Sequence, residues 1–260
     1  MDEMQNVQQS TIARMQAVTL SREYGSGGGE VAHRLATHLG WHLIDHEVVG
    51  LVAQQLGISE ADAEARDERV ESFLSRFLSG LQAIEPMMPM TSIPPIPITD
   101  AQAFYEARRK VIEGAVATGH VVIVGRGAQV VLAQRRDVLH VRIVAPFDMR
   151  TAYVVRREGL DQAAARTRIQ TKDRERIRYL QEEHQQHPED PHLYDLVLNS
   201  GILDLNSIVD LISLALERKS LRLSIPSGEL GPVAGLSRYP EQPVDFRLLE
   251  NEPPAKEGKL

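Results

Sequence analysis

The chain has 260 residues, 42% of them hydrophobic and only 5% aromatic, a size that suits one large α/β domain with an insertion or a tail. It contains no cysteine, which excludes a disulfide scaffold and a thiolate zinc site, and no run approaches the ~18 apolar residues of a membrane helix. With 29 Lys+Arg against 36 Asp+Glu the net charge is -7, which argues against general nucleic-acid binding.

Residues 1–14 are polar and lack the apolar stretch of a signal peptide, so they are expected to be a flexible N-terminus of a soluble, cytoplasmic protein. Ala17-Val18-Thr19-Leu20 reads as a strand that stops at Gly25-Ser26-Gly27-Gly28-Gly29. Val31, Leu35 and Leu39 then recur at helical spacing, and Gly40 suits the left-handed residue that ends a helix. Trp41-His42-Leu43-Ile44 predicts a second strand ending at Asp45, and Trp41 and Leu39 are assigned to the core. Strand, glycine loop, helix, strand is the opening unit of a doubly wound sheet.

A helix is expected over 46–56, and Ser59 with Asp62 suggests a capping box opening a charged helix toward Ser79. Pro86, Pro89, Pro94, Pro95 and Pro97 forbid regular structure between Glu85 and Thr99, which predicts a mobile insertion. Thr99 and Gln102 repeat the capping signal before a helix to about Thr118. His120 to Val124 is a buried strand running into Gly125-Arg126-Gly127, and Val138 to Val144 is another, with Pro146 suited to the first turn of the next helix. A basic helical region follows from Phe147 to His184, broken at Gly159; Leu196-Val197-Leu198 is the last strand, and an amphipathic helix runs from about Asn206 to Arg218. His184, His187 and His192 form a loose cluster read as exposed loop histidines. The prolines after Ser220 predict a poorly ordered tail over 221–260.

Three segments carry chemistry. A glycine-rich turn between strand and helix lets backbone amides converge on an anion at the positive end of the helix, which makes Gly25, Ser26, Gly27, Gly28 and Gly29 candidate phosphate ligands. The P-loop template GxxxxGK[ST] laid from Arg22 finds Gly27 in place, but Gly28 replaces the lysine and Gly29 the hydroxyl residue. The dinucleotide pattern GxGxxG fits at Gly25 and Gly27 and fails at Glu30, while Asp45, 20 residues past Gly25, lies where a ribose-binding acid would stand, so a dinucleotide site remains open. Gly125-Arg126-Gly127 offers an arginine at the C-terminal end of a strand, where a guanidinium grips phosphate with paired hydrogen bonds. Between Arg150 and Arg178 nine basic residues oppose four acids, a local balance of +5 that fits either a solvated helix face or a lid over polyphosphate.

Taken in order, Thr19 to Gly28, Leu39 to Asp45, Val124 to Gly127, Asp173 to Arg178 and Tyr194 to Ser200 resemble the cytidylate kinase-like proteins, over about residues 17 to 216 without the proline-rich insertion. The resemblance implies an α/β fold with a P-loop-type parallel sheet flanked by helices, a kinase-like nucleotide-binding domain over 15–220 with an insertion at about 59–99, and an arginine-rich lid at about 159–190. It implies phosphoryl transfer from ATP, with Mg2+, to a nucleoside monophosphate, CMP or dCMP. Arg22 and Gly25 to Gly29 would hold ATP phosphates, Arg22 supplying part of the absent lysine's charge. Asp45 and Arg126 would serve the acceptor, and Arg174, Arg176 and Arg178 the transferring group. Nucleotides are the implied partners, with no membrane and a homo-oligomer open. The rival reading is a degenerate kinase that binds nucleotide as a regulator.

Overall fold

A computed structural model of the chain describes residues 12–45 and 101–231, with the side chains of 101–104 left aside. The helices expected over 46–79, the proline-rich insertion, the Thr99–Gln102 cap and most of the tail lie outside the described residues.

Five strands form one parallel sheet: β1 (Ala17–Arg22), β2 (His42–Ile44), β3 (Val121–Val124), β4 (Val138–Val144) and β5 (Leu196–Asn199), in the order β2-β3-β1-β4-β5. The continuous apolar runs of β1, β3 and β4 belong to strands covered on both faces. On one face lie α1 (Gly28–Leu39) and the last helix, α6 (Leu205–Leu221), over Val18, Leu20, Leu139, Val141 and Ile143. On the other, α2 (Ala101–Thr118) and the short α3 (Ala128–Val131) cover Ala17, Val121, Ile123 and Val138. A third cluster joins α4 (Phe147–Glu158) to α5 (Gln162–His184) through Val154, Ala165 and Ile169.

The helix boundaries follow local chemistry. Gly40 takes the left-handed conformation at the end of α1, Asp161 accepts from Ala164 N at 2.8 Å to start α5, and Asp204 accepts from Asn206 N and Ser207 N to start α6. Pro146 stands one place earlier than expected: it is the extended residue before α4, not part of its first turn. Trp41 and Leu39 are core residues, each 9% exposed.

The chain divides into residues 1–223 and 224–260. Of the second unit the structure describes 224–231, which contain one 3₁₀ turn, Ser227–Glu229. Among the described residues no helix is long and apolar enough to cross a membrane.

Candidate active site

β1 is flanked by β3 on one side and β4 on the other, so the connections leaving β1 and β3 run to different helices and open a crevice at the C-terminal ends of the strands. A cleft of about 990 Å³ occupies that position.

The glycine loop forms one wall. Gly25 has φ +81° and lies so close to α4 that a Cβ there would come 2.9 Å from the Arg150 carbonyl oxygen, so only glycine fits. Gly27 caps α1 in the left-handed region, and helix geometry leaves the first-turn amides, Gly28 and Gly29 among them, without partners inside the helix. Ser26 behaves differently from the other loop residues. Its hydroxyl donates to Glu23 O at 2.9 Å and its own carbonyl accepts from Ser200 Oγ at 2.7 Å, with only 3% of the residue exposed. It fastens the loop to the residue that follows β5 and is not among the residues that line the cleft. Gly29 is open: a Cβ there would meet nothing within 4 Å.

Arg22, the last residue of β1, lies directly over Gly28; a Cβ on Gly28 would fall 2.6 Å from Arg22 Cβ. Burial, together with the guanidinia of Arg176 and Arg126, pushes Arg22 down to about 9, opposed by Asp45 at the end of β2. It stays a cation at neutral pH, held against like charges that a bound anion would relieve. Asp45 itself is not part of the cleft lining and acts toward it through Arg22.

Opposite the glycine loop, Gly125, Arg126 and Gly127 all have φ between 56° and 78°, and Arg126 is a non-glycine residue held there. Such a conformation costs on the order of 1 kcal/mol and persists where surroundings enforce it. Here they do: Tyr179 OH donates to Arg126 O at 3.2 Å, the Arg126 guanidinium lies 5.8 Å from the Tyr179 ring, and the His184 ring fills the space where a Cβ on Gly127 would go.

α5 closes the cleft, and its arginines separate by helical spacing. Ile169 and Leu180 are buried, and Asp173 and Arg176 lie on the same face between them. Asp173 accepts from Tyr24 N at 2.8 Å and from Arg150 Nη1 at 2.5 Å, tying the loop, α4 and α5 together. Arg176 lies in the cleft, 5.3 Å from the Tyr24 ring centroid, and burial pushes its guanidinium down while Asp173 opposes the shift. Arg174 and Arg178 are exposed and do not line the cleft, and Arg174 Nε donates back to Gln170 O. Arg22, Arg126 and Arg176 are therefore brought together with Gly25, Gly27, Gly28 and Gly29, whereas Arg174 and Arg178 are not.

Several cleft residues were missed from the sequence. Arg142, Arg150, Glu23, Tyr24 and Asp173 all line it. The α5 periodicity pointed to Asp173, since Ile169, Asp173, Arg176 and Leu180 share one stripe. Nothing local marked Arg142 or Glu23, whose carboxylate accepts from Ala145 N at 3.0 Å, 122 residues away. His184 is corrected as well. It ends α5, with its ring 5.5 Å from Tyr105 and 5.9 Å from Tyr179, and burial pushes it below the usual histidine value. His192 is exposed as expected.

Loop amides, a half-buried arginine beside the loop and a second arginine across the crevice make a cleft complementary to anions. A model of the cytidylate kinase-like family matches residues 17–202. The chain belongs to this family. A cytidylate kinase from Methanopyrus kandleri is 28% identical over 192 residues, covering 71% of this chain and 84% of that protein. A uronate isomerase from Corynebacterium glutamicum is 34% identical over 105 residues, and there the chain spans 20% of the relative's length and 40% of its own. Among solved structures, an uncharacterized protein from Eubacterium ventriosum shares the fold with a TM-score of 0.57 and 22% identity, covering 78% of this chain and 99% of that one. The five-stranded parallel sheet with its flanking helices is the architecture that the resemblance implied.

Proposed function

We propose that this chain transfers the γ-phosphoryl group of ATP to a nucleoside monophosphate, CMP or dCMP. An oxygen of the acceptor phosphate attacks the γ-phosphorus, the bond to the β-phosphate oxygen breaks, and ADP leaves beside a nucleoside diphosphate. Alignment and charge neutralisation do most of the work in such a transfer. The amides of Gly25 and Gly27 to Gly29 hold the β-phosphate, Arg22 stands in for the absent lysine, Arg126 fixes the acceptor phosphate, and Arg176 closes over the transferring group. Asp45 holds Arg22 in place from the end of β2.

One observation carries this reading: the root of the Arg22 side chain lies against Gly28 and Arg22 lines the cleft, so the loop that lacks the lysine has an arginine beside it. Family membership and the P-loop kinase fold support it. Magnesium fits less well. Gly29 stands where P-loop enzymes place the hydroxyl that binds the ion, and among the described residues no three His, Asp or Glu side chains group to hold a metal. Magnesium therefore belongs to the MgATP substrate, and no step here is routed through it.

ADP release measured across CMP, dCMP and the other common monophosphates tests the reading. Turnover fastest with CMP or dCMP, lowered about 10²–10³-fold in Arg126→Ala, is the expected result. ATP binding without ADP release for any acceptor overturns it in favour of a nucleotide-binding regulator.

A further inference from the structure

Three arginines among the described residues are buried: Arg108, Arg142 and Arg150, at 5%, 7% and 8% exposure. Arg108 is paired with Glu183, and Arg150 with Asp173 and Glu23. Among the described residues Arg142 has no acid within ion-pair distance. Its Nη1 donates to the neutral Ser21 Oγ at 3.1 Å, and its guanidinium lies over the face of Tyr194, 5.8 Å from ring centroid to Cζ. The Tyr194 hydroxyl donates to Pro188 O at 3.0 Å and lies 3.3 Å from the same Ser21 Oγ, so the three side chains are mutually fixed.

A guanidinium has five N–H donors. One is used here, and Arg142 lines the cleft, into which the remaining donors can turn. A buried charge without an ionic partner is costly, and an anion bound in the cleft would offset that cost. The position separates this group from the loop amides. Ser21 pairs with Arg142 and Thr19 with His140 in the β1–β4 register, on the sheet face shared with Ala17 and Val138, whereas Leu20 and Val141 face α1. Arg142 thus approaches the cleft from the face opposite the helix that begins at the glycine loop. Arg176 is its cationic neighbour and feels its repulsion.

We propose that Arg142, oriented by Ser21 and Tyr194, is a further anion-binding residue of the cleft and joins Arg126 in binding a phosphate group on the acceptor side, apart from the donor phosphates at the glycine loop. The word acceptor rests on the kinase reading above; the subsite itself does not.

The probe is inorganic phosphate, titrated calorimetrically into protein saturated with ADP. Wild type binds phosphate; Arg142→Met weakens it at least about tenfold, and Arg142→Lys, which keeps the charge but loses the fork, weakens it less. ADP affinity is the same in all three. A structural role makes the opposite prediction for stability: Arg142→Met would lower the melting temperature, whereas a cation kept for a ligand gives a methionine variant at least as stable as wild type. Equal phosphate affinity in wild type and Arg142→Met, or no phosphate binding by wild type, overturns the subsite. Failure of wild type to bind ADP overturns the kinase reading instead, and the phosphate comparison repeated without ADP still decides the subsite.

Discussion

Gly28 and Arg22 share one volume: a Cβ on Gly28 would meet Arg22 Cβ at 2.6 Å and Cγ at 3.1 Å, with Leu20 Cδ2 at 3.4 Å behind them. Both arginine atoms belong to the fixed root of the side chain, so the contact cannot be relieved by swinging the guanidinium away. Gly28→Ala is expected to lower stability by about 1–3 kcal/mol in denaturant unfolding, the usual cost of overpacking. Arg22→Gly removes the obstructing atoms, so in that background the same alanine should cost much less. A double-mutant cycle showing no coupling between the two positions would refute the shared-volume account.

The two faces of α5 predict opposite outcomes for neighbouring arginines. Arg176 faces the cleft beside Arg22, whereas Arg174 and Arg178 are exposed. Under the kinase reading, Arg176→Ala loses about 10²-fold or more in turnover, while Arg174→Ala and Arg178→Ala stay within about twofold. Steady-state ADP release on the three variants checks this, and an equal loss in all three would mean that α5 rotates or shifts during the reaction.

Asp173 is the carboxylate on which the loop, α4 and α5 converge. Arg150 Nη1 and Tyr24 N both donate to it, and the Arg150 side chain is 9% exposed against 23% for Asp173. Asp173→Asn turns an amide toward one of these donors and leaves Arg150 with Glu23, at 3.4 Å, as its carboxylate, beside the carbonyls of Ala145 and Tyr24. A loss of about 2 kcal/mol is expected, discounted from the fully buried case because Asp173 keeps some contact with solvent. Urea unfolding measures it. Limited proteolysis should cut first between α4 and α5, near Gly159, if the tether is what holds α5 down.

Where the sequence carried its own periodicity the structure was legible. β4 runs from Val138 to Val144 and α5 ends at His184, both as expected, because continuous apolar runs and a helix-ending glycine at 159 are local signals. Arg22, Arg126 and the glycines were found because each sits next to a strand end. Arg142 was not, since one arginine within Val-Leu-His-Val-Arg-Ile-Val reads as simple strand alternation until the fold sets Ser21 beside it, 121 residues earlier. The charge alternation of 172–178 hid the division between Asp173 with Arg176 and Arg174 with Arg178, which emerges only when the buried Ile169 and Leu180 fix the helix's orientation.

His140 lies two residues before Arg142 on the same sheet face, and it makes stability depend on pH in a definite direction. It is 6% exposed, Nδ1 lies 2.8 Å from Thr19 Oγ1, and among the described residues Nε2 is buried without a partner. Burial pushes it down to about 4, and nearby Lys219 adds to the shift while Asp195 opposes it. Facing it are Asp195, which accepts from the His140 backbone N at 2.7 Å, and Lys219, whose Nζ donates to the same Asp195 oxygen at 2.6 Å. Between pH 6.5 and 4 the unfolded chain binds this proton and the native one does not, so native stability falls as pH drops through that window and the effect saturates below it. The contribution is on the order of 2 to 3 kcal/mol across the window. His140→Asn keeps a polar atom near Thr19 and removes the titration, so its stability should fall less than that of wild type from pH 7 to pH 4.5. Parallel pH profiles for the two proteins, measured by urea unfolding, would show that His140 takes up its proton equally in the native and unfolded chains and would refute the shift.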